Sequence, residues 1–290
     1  LNNPKPNPSF SMMHLASSSD ATIAFMGISA LIEGEEGDAI LSSANGDRVE
    51  ISLPKNQIKY IKELRKSTNN KPLILVVSSG SAIDLSDVEE LVDAIIYCWY
   101  PGEQGGRAIA EILFGDVNPS GKLPITLPKS INQLPDYADY SMDNRTYKYL
   151  RDKPMYPFGF GLSYSNLKYS EVSMSSTIFT DDKENVAQVN ITNMSDYKTE
   201  EVVQLYVSDL DADFRVPNSS LKGVKRVAIN PKETKTVKFS IDKEMLQSVN
   251  YDGKLVFDPG LFKVSIGNSS PGLRSLELGA NISSVSFTVN

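Results

Sequence analysis

The sequence predicts two consecutive domains: an α/β domain with a parallel sheet, followed by an all-β sandwich. Three observations carry this reading. Residues 20–128 alternate continuous apolar runs with amphipathic stretches, as do strands covered on both faces and joined by helices. From about residue 170 the period changes to two, in short segments divided by turn residues. The 290 residues exceed one average domain and suffice to bury a core without cross-links.

The elements follow in order. Pro4, Pro6 and Pro8 favour extended chain, so residues 1–20 are expected to be disordered or extended. Residues 21–166 form the α/β domain with its connector. Thr22–Ile28 is a short apolar run read as a first strand. Pro54–Arg65 carries Ile58, Ile61 and Leu64 at helical spacing, with Pro54 suited to a first turn. Pro72–Ser78 is a second buried strand, Asp87–Asp93 a short helix, and Ala94–Tyr100 a third strand. Gly106–Phe114 is a helix that Gly115 ends. Residues 129–166 are rich in Pro, Gly and Tyr and show little periodicity, as in a segment that links or wraps domains. Residues 167–290 form the sandwich. Its expected strands are Asn185–Thr192, Glu201–Val207, Thr234–Ile241, Gly260–Ile266 and Ser284–Val289, a pattern of immunoglobulin or fibronectin type III style.

Composition excludes several functions. A net charge of −7 lacks the basic face that nucleic-acid phosphates require. No apolar run is long enough for a membrane span. With one cysteine, Cys98, and one histidine, His14, neither an internal disulfide nor a metal site of the usual ligands is expected, and no cofactor is implied. What remains is chiefly carboxylate chemistry.

The densest carboxylate cluster is Glu33, Glu35, Glu36 and Asp38, interleaved with Gly34 and Gly37, just after the first strand. Loops at the carboxyl ends of parallel strands are where α/β sheets place their sites. Crowded like charges also favour keeping one carboxyl protonated as a donor. The competing reading is a solvated acidic loop. Glycoside hydrolysis takes two carboxyl groups on opposite sides of a sugar, about 5 to 9 Å apart, so this loop offers one of the two. Trp99 and Tyr100 read either as core or as sugar-stacking rings. Gly102–Gly106 lacks the spacing of a phosphate loop and reads as a tight turn. Asp209, Asp211 and Asp213 alternate as in a calcium loop, but Phe214 and Ser220 stand where Gly and Glu are needed.

Several long segments together resemble glycoside hydrolase family 3. Gly105–Pro128, Arg145–Tyr149 and Tyr156–Tyr164 resemble the family's C-terminal α/β domain. Glu201–Val207, Leu221–Arg226 and Pro231–Val237 resemble its fibronectin type III-like domain. The resemblance implies a retaining β-glycosidase acting on a β-linked oligosaccharide, with β-xylosidase favoured over β-glucosidase. It also implies an aspartate nucleophile on an N-terminal α/β barrel that no segment here matches. The barrel is then a required partner, on the same parent protein or a separate chain, and the chain alone is expected to be inactive. The acid/base glutamate maps to the Glu33–Asp38 cluster: Glu35 is the first choice, with Glu33 and Glu36 as rivals. An insertion, Ala39–Gly46, separates that cluster from Asp47–Arg48. A homodimer stays open, and a periplasmic or secreted location is expected. The alternatives are a noncatalytic carbohydrate-binding or scaffold fragment and, less favoured for want of phosphate motifs, a nucleotide-binding protein.

Overall fold

The computed structural model describes residues 10–34, 46 and 48–290. By packing, the chain divides into two compact units: Leu1–Phe114 with Leu127–Leu134, and Gly115–Thr126 with Pro135–Asn290. The packing units therefore differ from the expected sequence domains, because most of the 129–166 connector belongs with the sandwich.

The first described element is α1 (Phe10–Ser18), a helix within the segment expected to be disordered or extended; residues 1–9 of that segment lie outside the described residues. The prolines end at Pro8, and the next residues carry neither Pro nor Gly. Tertiary contact then settles the helix. Ala16 is buried, Ser67 Oγ donates to Met13 Sδ at 3.2 Å, and Lys71 Nζ donates to the Ser19 carbonyl at 2.8 Å. There follow β1 (Thr22–Gly27), the one-turn helix α2 (Ala30–Glu33), α3 (Lys55–Ser67), β2 (Leu73–Ser78), β3 (Ala94–Tyr97) and α4 (Gly105–Leu113).

The three strands form a parallel sheet in the order β1-β2-β3. Ile61 and Leu64 on α3 and Leu73, Leu75, Val76 and Val77 on β2 are buried, the outcome expected of a strand covered on both faces. Asp87–Asp93 is not a helix but a single 3-10 turn, Glu89–Leu91. Ile83, Leu85 and Val88 are each buried, which anchors this stretch of turns ahead of β3. The third strand stops at Tyr97 instead of Tyr100, since Trp99 takes a left-handed φ of 55° that a strand cannot hold. Gly27 closes β1 against β2 so tightly that a Cβ there would stand 1.8 Å from the Ser78 carbonyl oxygen.

In the second unit α5 (Thr146–Tyr149) precedes β4 (Leu167–Tyr169), β5 (Ser173–Met174), β6 (Ile178–Phe179), β7 (Asn185–Asn193), β8 (Thr199–Asp209), β9 (Ser220–Ile229) and β10 (Thr234–Ile241). Then come β11 (Ser248–Val249), β12 (Leu255–Val256), β13 (Gly260–Gly267), α6 (Leu273–Glu277) and β14 (Ile282–Val289). One sheet runs β10-β7-β4 with β5 also on β7, the other β6-β14-β13-β8-β9, and β11 pairs β12. Alternate residues of both sheets meet in one core that includes Val189, Ile191, Leu205, Phe239, Phe262, Val264 and Phe287.

The sequence pattern did not announce β9. It is an edge strand whose two faces are only partly covered, so Lys222, Lys225 and Arg226 break the alternation and guard the edge. Strand β8 departs from period two in the other direction, with residues 203–208 all buried. The connector covers its outer face. Tyr147 stacks on Phe158 at 4.3 Å and meets Tyr206 edge-on at 5.9 Å, and Gln204 Nε2 donates to the Gly159 carbonyl at 2.9 Å.

Candidate active site

Three strand-end loops of the first unit converge on Glu33. After β1, the Ile28 amide donates to the Ser78 carbonyl at 2.9 Å. The chain then makes the single turn of α2, which Glu33 ends. The Gln57 side chain pins this exit: its Oε1 accepts from the Gly27 amide at 2.9 Å, and its Nε2 donates to the Gly27 carbonyl at 2.7 Å. Gly34 follows at φ 64° and turns the chain out of α2.

Both carboxylate oxygens of Glu33 are taken. Ser81, from the loop after β2, donates to Oε1 at 2.7 Å, and Tyr100, from the loop after β3, donates to Oε2 at 2.9 Å. Ser81 is itself fixed. Its carbonyl accepts from Ser79 Oγ at 2.8 Å and from Tyr97 Oη at 2.5 Å, and its hydroxyl accepts from Arg48 Nη1 at 3.0 Å. Arg48 Nε donates to the Glu50 carbonyl at 3.0 Å. Gly80 leaves the room this needs, since a Cβ there would stand 2.7 Å from the Tyr100 ring.

The electrostatics suit fixed neutral donors around one charge pair. Burial raises the Tyr97 phenol to about 12, against smaller opposing hydrogen bonds and the Arg48 charge. Burial also raises Tyr100, and its hydrogen bond to Glu33 adds to this. Both phenols therefore stay protonated as donors at neutral pH. Burial pulls the Arg48 guanidinium down, and the nearby Glu33 charge opposes that.

Of the three glutamates expected to carry chemistry, the structure places Glu33 in this cluster. Glu35 and Glu36 lie outside the described residues. Ser81 and Tyr97 were not singled out from the sequence. Tyr100, read as core or sugar-stacking, is about half exposed and binds Glu33 through its hydroxyl. Trp99 packs instead on Tyr97, ring centroids 4.6 Å apart. The usable signal was position: Ser81 lies just beyond one predicted parallel strand, and Tyr100 is the last residue of another. Among the described residues no group of three His, Cys, Asp or Glu side chains is placed to hold a metal ion. None of the described helices is long and apolar enough to cross a membrane.

The glycosyl hydrolase family 3 C-terminal domain matches residues 7–164, and a fibronectin type III-like domain matches residues 201–270. The chain belongs to glycosyl hydrolase family 3. It is 37% identical over 263 residues to a putative β-xylosidase of Formosa agariphila, which covers 89% of this chain and 34% of that protein. It is 38% identical over 235 residues to a periplasmic β-glucosidase of Salmonella typhimurium, covering 77% and 30%. A crystal structure of β-glucosidase from Kluyveromyces marxianus in complex with glucose superposes with a TM-score of 0.78 at 28% identity, over 96% of this chain and 33% of that one. The family 3 chain thus spans about a third of the length of these relatives. It carries the family's C-terminal domain and is related to both β-xylosidases and β-glucosidases.

Proposed function

We propose that this chain supplies the acid/base carboxylate of a retaining β-glycosidase, β-xylosidase in preference to β-glucosidase, with the nucleophilic aspartate on a barrel domain outside these 290 residues. The observation that carries the reading is the convergence of three strand-end loops on one carboxylate in a half-open setting. Such a mouth at the carboxyl edge of a parallel sheet is where a ligand binds.

The roles divide by geometry. Glu33 has each oxygen engaged by a protein hydroxyl, which fixes its side chain within the cluster. It serves as the anchor of the acidic turn. Glu35, two residues on and past the left-handed Gly34, is the acid/base, with Glu36 as its rival. In the first step it protonates the leaving oxygen while the aspartate attacks the anomeric carbon. In the second it takes a proton from the water that releases the sugar. The β-xylosidase preference draws on the similarity to the Formosa agariphila protein, and a periplasmic or secreted setting on the Salmonella typhimurium one.

The test uses a polypeptide that carries this chain and its barrel. Glu35→Gly should cut kcat/KM for aryl β-xylosides with poor leaving groups about 10²- to 10⁴-fold, spare kcat/KM for dinitrophenyl xyloside, and lower kcat on that substrate for want of a base in the second step. Azide should restore turnover as the β-xylosyl azide. Azide rescue in Glu33→Gly or Glu36→Gly instead would reassign the proton donor. The 290-residue chain alone is expected to hydrolyse neither aryl β-xylosides nor aryl β-glucosides; turnover by it would overturn the assignment of the nucleophile to a barrel.

A further inference from the structure

The aspartates that alternate at the end of β8 take no part in the proposed chemistry. Asp209 is the last residue of β8 and is half-buried. Its Oδ1 accepts from the Asp211 amide at 3.4 Å, whereas its Oδ2 is buried and makes no hydrogen bond. A buried carboxylate oxygen without a donor disfavours the charged form. The neighbouring charges add to this, since Asp258 and Asp211 both lie close enough to repel it. Lys222 of β9 lines the same cavity of about 20 Å³, but its own charged neighbours are Lys148 and Asp242, and the other residues lining that cavity are uncharged. Burial, followed by the two carboxylates, holds Asp209 above the usual carboxylate range, against backbone amides that favour its charge. The loop that starts here, residues 210–219, ties β8 to other parts of the second unit. Asp211 Oδ1 accepts from the Leu261 amide of β13 at 2.8 Å. Arg215 pairs with Asp143 at 2.6 Å and lies 4.5 Å over the Tyr149 ring. The Asn218 amide donates to the Lys148 carbonyl at 2.7 Å, and its Nδ2 donates to the Leu150 carbonyl at 3.0 Å.

We infer that Asp209 is a proton-operated latch: with its proton it tightens the 210–219 loop and that loop's grip on the connector, and without it both loosen. Protonation removes a buried charge together with its repulsion from Asp211 and Asp258, and it adds an O–H donor. The direction in pH follows from the raised folded value. Between the ordinary carboxylate value near 4 and that higher value, the closed loop holds a proton that the opened loop releases. The contribution is therefore fully present below about pH 4 and is lost as the pH rises through the folded value.

The experiment follows hydrogen exchange of the 210–219 amides in the whole chain, as protection factors from about pH 3.5 to 7.5, for the unmodified protein, Asp209→Asn, Asp258→Asn and Asp213→Asn. In the unmodified protein, protection should fall about 3- to 10-fold as the pH rises, the size expected for a shift of up to about one pKa unit. Asp209→Asn stands in for the neutral acid and should keep the high protection throughout. Asp258→Asn removes one repelling charge and should make the fall smaller, while Asp213→Asn, in the exposed loop, should behave as the unmodified protein does. A protection factor that does not change with pH in the unmodified protein, or a fall that persists in Asp209→Asn, would overturn the latch. Should Asp209→Asn fail to fold, an undiminished fall in Asp258→Asn would overturn it as well. A rise in loop protection on adding calcium chloride at neutral pH would also do so, by making a metal ion, and not a proton, the partner of these carboxylates. None of these results bears on the glycosidase reading, which rests on the first unit.

Discussion

Glu33 in the first unit keeps its oxygens on two hydroxyls in a half-open setting, beside an arginine with one nitrogen unspent. Glu201 in the second unit is closed off. Its side chain is 3% exposed and its partner Lys122 is 8% exposed, with Lys122 Nζ 3.1 Å from Glu201 Oε1. Further hydrogen bonds hold the pair: Lys122 Nζ donates to the Gly161 carbonyl at 2.7 Å, Glu201 Oε1 accepts from the Val202 amide at 2.8 Å, and Asn268 Nδ2 donates to Glu201 Oε2 at 3.5 Å. The two clusters use the same residue chemistry. What separates them is burial: the Lys122–Glu201 pair is shut off from solvent, whereas Glu33 is partly exposed.

Breaking each cluster should expose this contrast. The largest effect is expected at the closed one. Glu201→Gln or Lys122→Met leaves a buried charge unpaired and should destabilise the second unit by about 3 to 5 kcal/mol, read by chemical denaturation. The double variant Lys122→Met/Glu201→Leu should recover much of that loss, since the pair itself repays little of its desolvation. Glu33→Gln should change stability by under about 1 kcal/mol, as expected of a partly exposed group. A large loss of stability in Glu33→Gln would erase the distinction between the two clusters.

A smaller effect sharpens the role of the connector. Gly159 sits at φ 75°, and a Cβ there would stand 2.1 Å from Gln204 Oε1 and 2.9 Å from the Tyr206 hydroxyl. Gly159→Ala should therefore cost about 1 to 3 kcal/mol, through the left-handed backbone and the crowding of β8's outer face. Unchanged denaturation would mean that this face is not covered as described.

The smallest effect is a pH dependence in the first unit. The Tyr97 phenol is raised to about 12 in the folded protein, chiefly by burial, against an ordinary value near 10. Above about pH 10 the unfolded chain releases this proton while the folded chain keeps it. The contribution is present below pH 10 and is lost as the pH climbs towards 12. Melting followed by the fluorescence of Trp99, the chain's one tryptophan, should fall across that window. It should fall less steeply in Tyr97→Phe. Identical slopes would remove Tyr97 as the cause.

Much of the fold was legible because it rests on local periodicity. The apolar runs at 22–28 and 72–78 became β1 and β2, and the clean alternation of Thr234–Ile241 became β10 with the same bounds. Two of the failures share a reason: the deciding contact lies elsewhere in the chain. Helix α1 is held by residues of α3 and the loop after it, about 50 positions on. Strand β9 lost its alternation to its place at a sheet edge. The candidate site was legible as an acidic turn after a strand, but not as a constellation. Ser81 and Tyr100 stand 48 and 67 residues from Glu33.

By itself the sequence determined the two-domain order, the family and the position of the acidic turn, because apolar periodicity and long ordered motifs are properties of neighbouring residues. The tertiary structure alone decided that Glu33 is the anchored carboxylate, that Arg48 keeps a buried nitrogen unspent, and that Lys122 and Glu201 close upon each other. Hydrogen-bond completion is a property of the space where distant strand ends and loops meet, and no spacing along the chain encodes it.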